Sequence, residues 1–312
     1  MRNNYKIWLG AVLAIFFWGS NFNAISALSP ELTPITAAAI RFSIAVLALL
    51  ILRLLSKHPE SILSNKDKGY LLLLSIIGVF IQNSALFLAM RYTSAVNGSV
   101  IMANMPLAGL LLSALLLRTR ITFYHIVGIC ISLFGVLLVI TDGNWHQIYL
   151  RKGDLLVVLA LAGGCLYTIL AKKWVPHVPV PQFVRWTLGL GLIQMLLTAC
   201  WLESPVDAYQ NMTLKDLVLL SYMGILGTLV AYFLWMKATQ TIGPQKVTSM
   251  FNLIPMFTLL ISMSMGTQPH LIQLTGITCI TVGVIFANAY PSLKRIFISF
   301  KPQYTIKHRS LK

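Results

Sequence analysis

Hydrophobic positions in this chain fall in runs of roughly 20 residues with short polar connections between them. At 1.5 Å per residue, such a run crosses the hydrocarbon core of a bilayer as an α-helix. The alternating polarity of a membrane β-barrel is absent. The pattern predicts ten spans, near residues 6–28, 33–56, 69–90, 94–117, 121–140, 153–173, 179–202, 216–237, 243–265 and 269–289. Connections this short make neighbouring spans antiparallel. The polar, basic stretch from Pro291 to Lys312 is expected to lie along the membrane or to be disordered.

The pattern is also written twice. A slide of 146 residues brings Gly78, Ala85, Phe87, Leu88, Met90 and Thr93 onto Gly224, Ala231, Phe233, Leu234, Met236 and Thr239. After a small gap Pro106 falls on Pro255, then Gly128 and Gly135 fall on Gly276 and Gly283. The predicted divisions are 1–145 and 146–290 as two five-helix repeats, and 291–312 as a basic tail. Five is odd, so the second repeat enters the membrane upside down relative to the first. The expected fold is therefore all-α, with ten transmembrane helices as two inverted five-helix repeats. Inverted repeats are an architecture of secondary transporters, in which exchanging the two halves' conformations opens the opposite side. A duplication that merely enlarges a bundle is the other explanation.

Composition agrees with the pattern. Hydrophobic residues make up 57% and charged residues 10%, against about 25% charged in a soluble domain. The net charge of +16 raises nucleic acid as a partner, but the basic residues are spread between apolar runs, so the lipid bilayer is expected instead. Of 24 Lys and Arg, 18 fall on one side if the N-terminus is cytoplasmic and four on the other, with Arg41 and Arg185 inside spans. Both termini are then cytoplasmic, in a multi-pass protein of a bacterial inner membrane. The first run lacks a cleavage site and reads as an uncleaved span. Cys130, Cys165, Cys200 and Cys279 lie in or at the ends of apolar runs without metal or redox spacing.

Candidate chemistry sits at polar positions inside these runs. Pro106 and Pro255 lie midway along spans 4 and 9, where each ring displaces a carbonyl four residues back, that of Met102 or Phe251. They are candidate hinges, with Asn104 and Asn252 beside them. Span 1 holds Trp18, Ser20, Asn21 and Asn23, and span 3 holds Gln82 and Asn83. Uncharged amides should face the bundle or a wet path, and they suit polar or zwitterionic ligands. Glue between helices explains any one of them equally well. The second half is more aromatic, with Tyr167, Tyr222, Tyr232 and Trp235. The candidate substrate-binding set is Trp18, Ser20, Asn21, Gln82, Asn83, Asn104, Tyr167, Tyr232 and Asn252. Arg41 and Arg185 are repeat mates carrying intramembrane charge, for a substrate carboxylate or for tying carbonyls. Gly128, Ser132, Gly135, Gly276 and Gly283 form small-residue stripes for packing inside the monomer or, alternatively, for a homodimer face.

The sequence shows no P-loop, no His-x₃-His and no metal-ligand spacing, and no Asp or Glu lies in the interior of a span. No cofactor and no enzymatic activity are expected.

On Trp18-Gly19-Ser20-Asn21-Phe22, the Arg41-Phe42 and Arg185-Trp186 pairs, the Pro106 and Pro255 helices and the spaced glycines of spans 5 and 10, the chain resembles the EamA-type branch of the drug/metabolite transporter superfamily. The resemblance covers roughly residues 8–290 and implies a ten-helix carrier with a central cavity. Its expected substrates are amino acids or related metabolites, moved outward by alternating access. Where the family often has Glu at the ends of spans 4 and 9, this chain has Thr119 and Thr267, so any role of that glutamate does not transfer. A carrier of nucleotide-linked or phosphorylated metabolites is the alternative, expected if both arginines face the cavity. A non-transport membrane protein is a further one.

Overall fold

A computed structural model describes residues 4–55, 60–117, 122–141, 151–242, 247, 249–268 and 270–299. Among these the regular elements are all helical. They are α1 (Asn4–Ser26), α2 (Pro34–Leu55), α3 (Asn65–Ser75), α4 (Gln82–Ala89), α5 (Ala95–Met102), α6 (Met105–Leu117), α7 (Phe123–Thr141), α8 (Lys152–Trp174), α9 (Val180–Leu202), α10 (Pro205–Gln210), α11 (Leu214–Gly224), α12 (Ala231–Ile242), α13 (Leu253–Ser264) and α14 (Leu271–Ser299). One wide π-turn, Ile76–Ile81, joins α3 to α4, and another, Ile225–Val230, joins α11 to α12. A 3-10 turn, Ser249–Asn252, leads into α13.

Among the described residues eight helical spans are long and apolar enough to cross a membrane, and two shorter apolar helical stretches, Met250–Ser264 and Leu271–Phe286 within α14, accompany them. Their outward faces carry Leu50, Leu54, Leu133, Phe134, Leu196, Leu197 and Trp201, all exposed. So much exposed apolar surface has no place on a soluble monomer, and lipid is its solvent. The protein is a multi-pass membrane protein.

Helix ends follow the expected spans closely, with two differences. One is that the last helix does not stop before Pro291: its backbone continues to Ser299, and of the expected tail 300–312 lie outside the described residues. The other is that α3 starts at Asn65, ahead of the expected 69, so that it too carries a carboxylate in its first turn, as α8 and α11 do. Asp67, Asp154 and Asp216 are there, all buried. The reason is local. A carboxylate three residues after an N-cap accepts from the orphan N–H of that cap, which pulls the helix start back to include it. Ser64 with Asp67, and Thr213 with Asp216, form reciprocal capping boxes of this kind.

The same pairs fix the register of the repeat. Ser64 and Thr213 are 149 residues apart, as are Ile76 and Ile225, which begin the two π-turns, Gly78 and Gly227 within those turns, and Pro106 and Pro255. Gly78 thus corresponds to Gly227, not to Gly224 as the 146-residue slide had it, and no gap is needed before Pro106.

Packing exchanges partners between the halves. Helix α1 packs on α12 while α8 packs on α4, and α2 packs along α9. A Cβ on Gly78 would lie 2.2 Å from the Tyr167 ring of α8, and one on Gly227 would lie 2.4 Å from Asn21 Oδ1 of α1. Helices α7 and α14 meet backbone to backbone. A Cβ on Gly135 would be 2.5 Å from the Gly276 carbonyl, and one on Gly283 would be 2.6 Å from that of Gly128. The small-residue stripes are therefore spent on contact within the chain.

Spans 4 and 9 are both interrupted at their prolines. The break in span 4 falls at Ala103 and Asn104, and the one in span 9 is the 3-10 turn ending at Asn252. Asn104 donates from Nδ2 to the Val100 carbonyl (3.0 Å) and accepts from Ser132 Oγ, which ties the break to α7.

Candidate functional site

A cavity of about 340 Å³ lies between the two halves. It is lined from α1 (Trp18, Asn21), α2 (Arg41), the π-turns (Gly78, Val79, Gly227, Thr228), α4 (Gln82, Asn83), α8 (Gly164, Tyr167), α12 (Tyr232, Trp235) and the 3-10 turn (Phe251). A π-turn widens the backbone and puts carbonyls out of register, where side chains can reach them. That happens in both halves: Asn83 Nδ2 donates to the Val79 carbonyl (2.9 Å), and Trp18 Nε1 donates to the Gly227 carbonyl (3.1 Å). The absent Cβ atoms of Gly78 and Gly227 let Tyr167 and Asn21 approach the turns closely.

One wall is aromatic. Trp18 stacks on Phe251 with centroids 5.5 Å apart and planes at 20°. Trp235 lies 5.0 Å from Trp18 and 4.9 Å from Phe251. Tyr167 shares a hydrogen bond with Thr187 Oγ1 at 2.9 Å, which orients its ring.

The lining also holds Arg41, which is 7% exposed. Its Nε and Nη2 both donate to Thr228 Oγ1, at 3.3 and 3.1 Å, and its guanidinium lies 5.4 Å from the Phe42 ring and 5.8 Å from the Phe87 ring. Among the described residues Arg41 has no carboxylate partner, and it is the sole charged residue of the lining. Placing Arg at mid-membrane costs roughly 2.5–3.5 kcal/mol on an insertion scale. Two ring contacts of about 0.5–2 kcal/mol each offset part of that.

Of the expected site residues, Trp18, Asn21, Gln82, Asn83, Tyr167 and Tyr232 line this cavity together. Ser20, Asn104 and Asn252 lie elsewhere. Ser20 bonds through its hydroxyl to Tyr222 of α11 and to the Phe17 carbonyl of its own helix; Asn104 is engaged with Ser132; Asn252 is 2% exposed and outside the lining. Pro106 and Pro255 also stand back from the cavity, although Met105 and Ile254 next to them line it. The two arginines part company. Arg185 pairs with Glu60, which also takes Arg53 Nε at 2.7 Å, at the end of α9 away from the lining. Sequence reasoning missed Thr228, Phe251 and the paired glycines. The signal available was Gly78 and Gly227 at equal positions of the repeat, hidden by the three-residue error in register.

The sequence profile of the EamA-like transporter family matches residues 6–141 and again 151–289. The chain belongs to the EamA-like transporter family. It is similar to the uncharacterized transporter YyaM of Bacillus subtilis, 27% identical over 297 residues that cover 94% of each chain. It is also similar to a Salmonella typhimurium protein described as a probable amino-acid metabolite efflux pump, 23% identical over 90% of this chain and 93% of that one. A crystal structure covering 94% of this chain has the same fold, with a TM-score of 0.64 at 16% identity. In this EamA-like transporter, the cavity between the matched segments is where a ligand can contact both halves at once.

Proposed function

We propose that this transporter carries small organic metabolites, amino acids or their derivatives, outward by alternating access between two inverted five-helix repeats. The observation that carries this reading is the cavity, lined by both halves and closed in by their two π-turns. Inversion is supported by how the halves meet. Gly135 faces Gly276 while Gly128 faces Gly283, an antiparallel pairing that maps onto itself when the halves are exchanged. A two-fold relating antiparallel helices runs perpendicular to them, hence in the membrane plane, as alternating access of inverted repeats requires. The two segments matching the family profile, 6–141 and 151–289, support the same division. The substrate class is favoured by the cavity's amides and by the efflux pump to which the chain is similar. A carrier of nucleotide-linked metabolites would need more positive charge in the cavity, and Arg185 is committed to Glu60.

The test is counterflow of labelled metabolites in proteoliposomes, with and without a pH gradient. Saturable exchange without a gradient is expected. Absence of exchange for every metabolite tried, with folded protein, would remove the reading. Pro106→Ala and Pro255→Ala restore the lost N–H and straighten spans 4 and 9. Each is expected to slow counterflow several-fold while ligand affinity changes little, because neither proline lines the cavity. An unchanged rate in both variants would show that the breaks are not hinges.

A further inference from the structure

The cavity's charge is unbalanced, and that imbalance narrows the ligand. We infer that the Arg41 cavity takes organic monoanions, carboxylates on an apolar body of aromatic size whose amine is absent or acylated, in preference to zwitterionic amino acids. The inference deepens the transport reading above and rests on it for the cavity's role.

Arg41 is buried, lines the cavity, and leaves donors unused. A guanidinium has five N–H groups, and here only Nε and Nη2 are engaged, both on the one oxygen of Thr228. Nη1 has no acceptor among the described residues. A planar fork with free donors matches a carboxylate better than any neutral acceptor.

The second half of the chain shows what this position does when a carboxylate is within reach. Arg185, its repeat mate, is paired with Glu60, which follows α2. The acid that follows α9, Glu203, is not available to Arg41 in the same way. Its oxygens accept from Ile35 N (3.0 Å), Thr36 N (2.8 Å) and Thr36 Oγ1 (2.8 Å), capping the first turn of α2. The counter-ion position of Arg41 is therefore left to whatever enters the cavity.

The remaining lining decides against a free ammonium. No Asp or Glu is among the described lining residues, so an ammonium would be desolvated beside a fixed positive charge with no anion to pair with. A monoanion neutralises the site, whereas a zwitterion leaves it positive. An acylated amine suits it better, because it carries no charge and its amide can pair with the side-chain amide of Gln82 in the lining. Trp18, Phe251 and Trp235 supply a flat apolar wall for the rest of the molecule.

Titration calorimetry on the purified full-length protein in detergent tests this with four ligands sharing a phenyl body. They are N-acetylphenylalanine and 3-phenylpropionate as monoanions, phenylalanine as zwitterion and phenylalaninamide as cation. The monoanions are expected to bind at least about ten-fold more tightly than phenylalanine, the size of one charge-assisted hydrogen-bond set, and the amide more weakly still. Arg41→Gln should lower monoanion affinity by about the same factor and erase the ranking. Arg41→Lys should keep the ranking in weakened form, because the charge stays and the fork is lost. Arg185→Gln should leave the ranking as it was. Equal or tighter binding of phenylalanine overturns the inference, as does a ranking that survives Arg41→Gln in protein that elutes monodisperse. Failure of all four ligands to bind the folded wild type overturns it too. Counterflow with the same ligands keeps the two readings apart: exchange of phenylalanine alone sinks this inference and leaves transport standing. Ranked binding without any exchange does the reverse.

Discussion

Gly135→Leu and Gly283→Leu are expected to lower the thermal unfolding midpoint of the detergent-solubilised protein by roughly 5 °C or more. The cause is the approach of α7 to α14. A Cβ at 135 would stand 2.5 Å from the Gly276 carbonyl oxygen, and one at 283 would stand 2.6 Å from the Gly128 carbonyl and 2.7 Å from Ser132 N. These are backbone atoms, which cannot rotate away as a side chain can. Relief requires the helices to separate, and that undoes the contact along their length. Overpacking of a tight core costs about 1–3 kcal/mol when side chains can adjust, and here the first atom of the new side chain already collides. Gly69→Leu and Gly189→Leu make the comparison, since nothing lies within 4 Å of a Cβ at either position. Both should be neutral or slightly stabilising, because leucine is the better helix former by up to about 1 kcal/mol. Equal midpoints for all four variants would contradict the backbone contact between α7 and α14.

The second large effect is expected at Asp216. Its carboxylate accepts from Ser29 N (2.8 Å), Ser29 Oγ (2.6 Å), Thr213 N (3.0 Å) and Thr213 Oγ1 (2.7 Å). It therefore caps α11 and ties it to the turn that follows α1, the helix that carries Trp18 and Asn21. Asp216→Ala strands four donors at once. At about 1–3 kcal/mol for each buried group left unpaired, reduced where water can reach it, the total comes to several kcal/mol. The repeat mate Asp67 makes a graded control. It caps α3 through Ser64 in the same way, but its link to a neighbouring segment is His177, in the turn between α8 and α9, 57% exposed at its side chain and 3.3 Å away. Asp67→Ala should cost less, because an exposed pair contributes about 0–1 kcal/mol. Thermal midpoints should therefore order as wild type, then Asp67→Ala, then Asp216→Ala. The reverse order would mean that the tie to Ser29 adds nothing to the cap.

The same residues separate what could be read from the chain and what could not. The runs of apolar residues placed nearly every helix, because a bilayer demands length and hydrophobicity and both are one-dimensional. The repeat was visible too, and so were the prolines that break spans 4 and 9. Its register was not. The 146-residue slide aligned side chains that look alike, whereas the spacing of 149 rests on Ser64 and Thr213, Gly78 and Gly227, and Pro106 and Pro255, whose equivalence as caps and turn residues shows only once the helices have formed. Six of the nine expected site residues line one cavity, because amides and aromatics inside apolar runs must turn away from lipid. Ser20, Asn104 and Asn252 obey the same rule by bonding to or packing among neighbouring helices, and composition does not distinguish the two ways of hiding from lipid.

Arg41 and Arg185 draw the line most clearly. In the sequence they are equivalent: each is a single cation inside an apolar run, followed by an aromatic residue. The sequence by itself determined that both had to find a partner away from lipid, because the cost of an exposed charge there is set by the solvent and not by the fold. Which partner each found was decided only in three dimensions. Glu60 comes within reach of Arg185 through the contact of α2 with α9, while Glu203 spends its oxygens on the first turn of α2. Charge and polarity are properties of a residue and survive in one dimension. Pairing depends on distances between segments more than a hundred residues apart, and those exist only once the helices have packed.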